Sequence, residues 1–313
     1  MNKLLKTEII QSIPEYTFGN LIGYSDIKRE AMCLAKYDVD ILIIGETGVG
    51  KEVLANAIHN GSPRKHKRLM HLDCSTIPSS LLESELFGYK KGAFTDAKED
   101  RVGKIEYAAG GTVFLDEIGN ITLETQAKIL RVIENKDLCR IGENIRRSID
   151  IRFIFASNSN LVNSINTGMF RKDLYYRINF HVIKIPPLRK RKNEIPKIVK
   201  YYWEKWNKEQ NFNLGIPNGE EIETLLDYDY PGNIRELIGL LQRVYIAAVE
   251  LKQQNRLYVF KKEIKKLKPN CKFKSLNERV KEYVREVVSK SRNLSEAART
   301  LGIDRKTIRK KLR

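Results

Sequence analysis

Cysteine is scarce in this chain and carries no pattern. Four are spread along 313 residues, Cys33, Cys74, Cys139 and Cys271, and none forms a C-x-x-C pair. The four histidines are equally scattered, so neither a zinc site nor a disulfide framework is indicated. Unpaired thiols suit a reducing compartment, and a cytoplasmic setting is expected. A run of about 18 apolar residues is also missing, which argues against a membrane-spanning helix and against a membrane partner. The opening Met1-Asn2-Lys3-Leu4-Leu5-Lys6 lacks the apolar stretch and small-residue cleavage site of a secretory signal. Internal repeats and low-complexity tracts are absent, and residues 1–17 are expected to be a short polar tail, too small for a regulatory domain.

Negative charge is in short supply and unevenly so. The chain has 57 Lys and Arg against 39 Asp and Glu, a net +18. Residues 251–313 hold 21 basic and 6 acidic side chains, so +15 of that total lies in the last stretch. A near-neutral body with a basic tail is the footprint of a protein that docks on a polyanion. Charge alone leaves a solvated tail equally open.

What is present is periodicity. Residues 39–44 are a near-continuous apolar run, as expected of a strand buried on both faces. Strands are further expected over 68–73, 112–115, 149–156 and 181–185, and helices over 51–60, 79–86, 123–135 and 160–166. This alternation predicts an open α/β parallel sheet over residues 18–187. After Pro186-Pro187 only helical periodicity remains, over 193–210, 219–226 and 234–250, which predicts a small helical lid domain over 188–255. A basic linker is expected over 256–274 and a last all-α unit over 275–313.

Gly45-x-x-x-x-Gly50-Lys51 follows a strand and opens a helix, the context that a phosphate-binding loop needs. Glycines let successive N–H groups turn inward on phosphate oxygens, and the helix N-terminus adds its positive dipole end. Lys51 would reach the β- and γ-phosphates. Glu52 replaces the usual Ser or Thr, so that magnesium ligand is missing. Val113-Phe114-Leu115-Asp116-Glu117 is an apolar strand ending in two acids. Asp116 would hold Mg²⁺, and Glu117 would orient the attacking water. A bare glycine turn and a surface carboxylate pair are the bland readings, and their combination in one chain argues against both.

Between these motifs lies Leu86-Phe87-Gly88-Tyr89-Lys90-Lys91-Gly92-Ala93-Phe94-Thr95-Asp96-Ala97. Together with Gly110–Gly119, Glu124–Val132, Phe170-Arg171-Lys172-Asp173-Leu174-Tyr175-Tyr176-Arg177 and Tyr230-Pro231-Gly232-Asn233-Ile234-Arg235-Glu236-Leu237, it resembles the AAA+ domain of bacterial enhancer-binding proteins, the sigma-54-dependent activators. Glu52 is that family's habit. The resemblance implies an ATPase that uses ATP and Mg²⁺ and contacts nucleotide through Ile22, Gly45, Glu46, Thr47, Gly48, Val49, Gly50, Lys51, Glu52 and Arg235. It makes Asn158 a γ-phosphate sensor, Arg171 and Arg177 fingers reaching a neighbour's nucleotide, and the assembly a hexameric ring. It also makes Gly92, Ala93, Phe94, Thr95, Asp96 and Ala97 the loop that touches the sigma-54 RNA polymerase holoenzyme. Two positions depart from the family. Asp96 stands where Gly is usual, adding charge and losing some conformational freedom. Asp73 stands where an Asn restrains the catalytic Glu, and an ionised Asp has no proton to donate.

The tail reads as helix-turn-helix over residues 293–312. Asn293 can cap the first helix with Glu296 at the capping-box position, Gly302 makes the turn, and Asp304 can cap the second helix. Ile303, Ile308 and Leu312 supply the buried stripe. Arg305, Lys306, Thr307, Arg309 and Lys310 are left for upstream double-stranded DNA, the second helix entering the major groove. The tail resembles the Fis-type domain. Helix 276–288, with Val280, Val284 and Val287, suits either a dimer interface or internal core. The leading expectation is an ATP-driven activator acting on sigma-54 polymerase. The alternative, motivated by Asp96, is a DNA-binding regulator whose AAA+ body is an assembly scaffold without sigma-54 contact. An AAA+ unfoldase or replication loader has no use for this loop and tail together.

Overall fold

The computed structural model describes residues 16–250 and 256–267 and, in the tail, residues 288, 295, 298, 300, 303, 304 and 307. The chain divides into two compact units, Met1–Phe260 and Lys261–Arg313. The first opens with helix α1 (Ser25–Ala35), strand β1 (Ile41–Ile44), α2 (Lys51–Asn60), β2 (Leu69–Asp73) and α3 (Ser79–Phe87). Two short strands, β3 (Gly88–Tyr89) and β4 (Arg101–Val102), precede α4 (Lys104–Tyr107), β5 (Thr112–Asp116) and α5 (Leu123–Asn135). A second pair of short strands, β6 (Asp137–Leu138) and β7 (Arg147–Ser148), leads to β8 (Arg152–Ser157), α6 (Leu161–Asn166), α7 (Lys172–Ile178) and β9 (Val182–Lys184). The lid follows as α8 (Ile195–Gln210), α9 (Gly219–Leu226) and α10 (Asn233–Glu250).

The five long strands form one parallel sheet in the order β2-β5-β8-β1-β9. Strand periodicity explains its two-sided core. In β8, Phe153 and Phe155 join the layer with Leu42, Val113, Leu115 and Ile129. Ile154 and Ala156 face the other way, with Ile41, Ile43, Leu54 and Ile58. β8 is buried along its whole length, as the central strand between β5 and β1 must be. The sequence places this strand at 149–156; it starts at Arg152 instead. The preceding backbone is used elsewhere: Ile149 donates to the Lys136 carbonyl (2.7 Å), and the Asp150 carbonyl accepts from Gly110 (2.7 Å).

The lid is built on aromatic packing. Trp203 is fully buried and lies 5.1 Å from Tyr245, edge to face. Asn218 and Glu221 form a reciprocal capping box at the start of α9. Residues 256–274, expected as a linker, begin with a helix, α11 (Arg256–Leu267). Arg256 grips both Glu221 oxygens at 2.6 and 2.7 Å, and Phe260 is fully buried, its ring stacked 6.3 Å from Trp203. The high basic content hid that apolar contact. Among the described residues no helix is long and apolar enough to cross a membrane.

Candidate nucleotide site

The central position of β8 brings three motifs to one edge of the sheet, where β1 runs into Gly45, β5 ends at Asp116 and β8 ends at Ser157. Ligands of open parallel sheets bind beyond these carboxyl ends. Lys51, 6% exposed, donates to Glu117 Oε1 and to the Gly45 carbonyl, each at 3.1 Å. Glu117 sits at φ 55°, a left-handed conformation that side chains rarely adopt. Its other oxygen accepts from the Asn158 N–H at 3.0 Å, and the Asn158 amide reaches Thr47 Oγ1 at 3.0 Å. Glu117, Lys51, Asn158 and the loop are thus one hydrogen-bonded set. Burial raises the Asp116 carboxyl above its ordinary range; Lys51 opposes that and Glu117 adds to it.

Each carbonyl from Gly45 to Gly50 accepts a hydrogen bond. Lys51 takes Gly45, and the Val49 N–H takes Glu46 at 3.4 Å. Asn233 Nδ2 takes Thr47 (3.0 Å) and the Arg235 N–H takes Gly48 (3.3 Å). Arg191 (2.9 Å) and the Tyr24 hydroxyl (3.1 Å) share Val49, and Tyr24 (3.0 Å) and the Leu54 N–H (3.1 Å) share Gly50. Each peptide is trans and planar, so fixing the direction of a carbonyl fixes that of the next N–H on the opposite edge of the plane. The N–H groups of Gly48, Gly50 and Lys51 have no partner among the described residues. Only glycine fits at position 48: its φ is 78°, and a Cβ would lie 2.3 Å from the Gly232 carbonyl of the lid.

The result is a cleft of about 540 Å³. Its polar end carries Thr47, Lys51, Glu52, Asp116, Glu117 and Asn158, and Arg235 stands at its lid side. Its apolar end is made by Leu21, Ile22, Ile198, Tyr202 and Ile238. Gly48, Gly50 and Tyr24 line it too, whereas Gly45, Glu46 and Val49 are not among its lining residues. Glu46 pairs with Arg189 through both oxygens (2.6 and 2.8 Å), and Asn233 reaches it at 3.2 Å. The Arg189 bond, with Asn233 assisting, holds the Glu46 carboxyl below its usual range. Glu52 lies 3.4 Å from His71 Nδ1, whose hydrogen bond lowers its carboxyl in turn.

Sequence reasoning missed Tyr24, Arg189 and Arg191, and took Asn233 only as part of a motif. No spacing rule marks them, because they reach the loop from the N-terminal segment and the lid. Asp73 lines the same cleft, and its Oδ1 accepts from the Ser75 N–H (2.8 Å) and hydroxyl (2.6 Å). The departure at that position therefore leaves Glu117 to Lys51 and Asn158.

Arg171 and Arg177 do not line this cleft. Arg171 is the residue before α7, and its guanidinium holds Asp173 at 2.6 and 3.0 Å. Its own N–H is fixed by buried Gln126 (2.7 Å), which also donates to Ile121 and Met169 carbonyls. Arg177 lies in the last turn of α7, beside a separate hollow with Asp38, Lys136 and Asp150.

The Gly92–Ala97 loop is closed by Gly92 N–H to Ala97 O (2.8 Å) and Ala97 N–H to Phe94 O (2.9 Å). Phe94 is 43% exposed and leans edge-on against Tyr89, 4.8 Å away. Asp96 does not take a positive φ, so the turn closes without a glycine there. In the tail, Arg305, Lys306, Arg309 and Lys310 lie outside the described residues, as does helix 276–288 apart from Val288. Asp304 does cap: its carboxylate accepts from the Thr307 N–H (2.8 Å) and hydroxyl (2.7 Å). The Ile303 N–H reaches the Ala298 carbonyl five residues back (3.2 Å), the bond that closes a helix C-terminus before a turn.

A parallel sheet carrying a phosphate loop, a strand-end acid pair and a helical lid hydrogen-bonded to that loop defines an AAA+ ATPase body. Residues 19–184 match the sigma-54 interaction domain, residues 189–273 the AAA+ ATPase lid domain, and residues 280–313 the Fis family of bacterial regulatory proteins. The chain belongs to the sigma-54 interaction domain family. It is 36% identical to the phenol regulator MopR of Acinetobacter guillouiae, over 98% of this chain and 58% of that one. It is 42% identical to the Nif-specific regulatory protein of Azotobacter vinelandii, over 73% and 45%. The chain thus spans only about half the length of these relatives. Among solved structures, NtrX of Brucella abortus in complex with ADP superposes with a TM-score of 0.71 at 27% identity, covering 94% of this chain and 69% of that one. RuvB of Thermotoga maritima, at 15% identity and a TM-score of 0.55, shares the fold.

Proposed function

We propose that this chain is a cytoplasmic ATP-driven activator of transcription that remodels the sigma-54 RNA polymerase closed complex from upstream DNA. The observation that carries this reading is the union of a Lys51–Glu117–Asn158 set in the cleft with an exposed Phe94 on the neighbouring loop. ATP is the substrate the cleft fits: inward N–H groups and Lys51 suit phosphates, and the apolar end suits a base. A Mg²⁺ ion fits beside Asp116, since Mg²⁺ commonly takes one or two carboxylates plus substrate phosphates; when bound it neutralises charge on the β- and γ-oxygens. Phosphate oxygens compete with Glu117 for the Lys51 ammonium, and a released Glu117 orients water for attack. Asn158 joins Glu117 to the loop and so reports whether the γ-phosphate is present.

Arg171 and Arg177 stand away from their own chain's cleft and serve a neighbour's, which makes a ring, expected to be hexameric, the active assembly. A finger of this kind is worth about 10³–10⁵ in rate. Phe94 is the apolar fingertip offered to sigma-54, and Arg305, Lys306, Thr307, Arg309 and Lys310 hold upstream DNA. The testing experiment is Phe94→Ala in an open-complex assay run beside an ATPase assay. Loss of open complexes with hydrolysis retained is the expected outcome. Retention of both would favour the scaffold reading in which sigma-54 is not touched.

A further inference from the structure

Gly23 and Tyr24 both have positive φ, 81° and 61°. For a bulky side chain this is a rare conformation, held only where the surroundings impose it, and it clusters at functional sites. Here it drives the Tyr24 side chain, 4% exposed, under the phosphate loop. Its hydroxyl lies 3.1 Å from the Val49 carbonyl and 3.0 Å from the Gly50 carbonyl. Arg191, 5% exposed, lies 4.9 Å above the Tyr24 ring, donates to the same Val49 carbonyl and pairs with Glu194 at 2.9 Å. The fit is closed from the loop side as well: a Cβ at Gly50 would meet the Tyr24 oxygen at 1.8 Å.

We propose that Tyr24 is a positioning residue for nucleotide phosphate, its hydroxyl sharing one proton between the Val49 and Gly50 carbonyls and so setting the two peptide planes that carry the Gly50 and Lys51 N–H groups. This rests on the nucleotide reading above. The Val49 carbonyl and the Gly50 N–H belong to one trans peptide, and the Gly50 carbonyl and the Lys51 N–H to the next, so a donor to these carbonyls sets the direction of the N–H groups on the other edge of each plane. Tyr24 is not needed to satisfy either carbonyl. Val49 keeps Arg191, and Gly50 keeps the Leu54 N–H. What the hydroxyl adds is direction.

Tyr24→Phe removes the oxygen and leaves the ring against Arg191, with no buried carbonyl orphaned. The full chain is measured three ways: ADP affinity by calorimetry, KM and kcat for ATP, and thermal unfolding without nucleotide. ADP binding is expected to weaken about three- to tenfold, the loss of one modest hydrogen bond. KM should rise by more than kcat falls, and the melting temperature without nucleotide should stay level. ADP affinity within twofold of the parent would overturn the inference. So would an affinity loss that tracks a lower melting temperature, since that marks a packing role only. Should the parent chain itself fail to bind ADP, the nucleotide reading falls and takes this inference with it. Parent binding unchanged by Tyr24→Phe removes the role of Tyr24 alone.

Discussion

Glu117 works from a left-handed backbone and shares its two oxygens between Lys51 and Asn158. Glu117→Ala is expected to keep ATP bound and to cut hydrolysis by on the order of 10²-fold or more, the scale of a lost general base; a filter-binding and phosphate-release pair of assays reads both. Lys51→Ala should weaken nucleotide binding itself, and unchanged ATP affinity would remove the phosphate-loop role. Away from the cleft, His59 is fully buried between α2 and β5, with Nδ1 3.0 Å from Thr112 Oγ1. Burial pushes its imidazole down from 6.5 to about 4. The unfolded chain takes up that proton near pH 6.5 and the folded one only near 4, so this residue makes stability fall as pH drops through that window. Urea titrations at pH 7.5 and 5 should show a larger loss for the parent than for His59→Gln, and equal losses would contradict the assignment.

At the scale of elements, α2 and α5 begin and end where periodicity places them, because apolar spacing and, for α5, a Thr122 cap agree. The phosphate loop and the acid pair were legible for the same reason, since each follows an apolar strand that alternation alone marks. α1 has the apolar spacing, with Ile27, Ala31 and Ala35 buried on one face, but it enters through left-handed Tyr24 and has no side-chain cap to mark its start. The β3–β4 and β6–β7 hairpins are two residues per strand, too short to show a period of two. They are set by tertiary bonds, such as Lys90 N–H to Ile141 O at 3.0 Å. The donors behind the loop were illegible because they come from distant segments. α7 offers a test of such long-range positioning. Gln126→Leu strands the Arg171 N–H and the Met169 carbonyl, and should cost about 1–3 kcal/mol in denaturant titrations. It should also lower ATP turnover while leaving ADP binding intact, because the change lies at the proposed finger rather than in the cleft; normal turnover would argue that Arg171 needs no such anchor.

For the whole molecule, a near-neutral ATPase body is followed by a tail carrying +15, the asymmetry on which the proposed DNA contact rests. Arg305→Ala or Arg309→Ala should weaken DNA binding in a gel shift, by a factor that shrinks as salt is raised because one fewer cation on the DNA makes the salt dependence shallower, and leave hydrolysis untouched. Turnover per chain is expected to climb with protein concentration under the proposal that a neighbour's arginine completes each cleft. The central proposition is that nucleotide chemistry at Lys51 and Glu117 drives Phe94 against the polymerase. A photo-crosslinking residue in place of Phe94, illuminated with sigma-54 holoenzyme under successive trapped nucleotide states, tests it most directly. The expected result is a crosslink to the sigma subunit that comes and goes with the nucleotide. A crosslink missing in every state, from a protein that still hydrolyses ATP, would contradict the account.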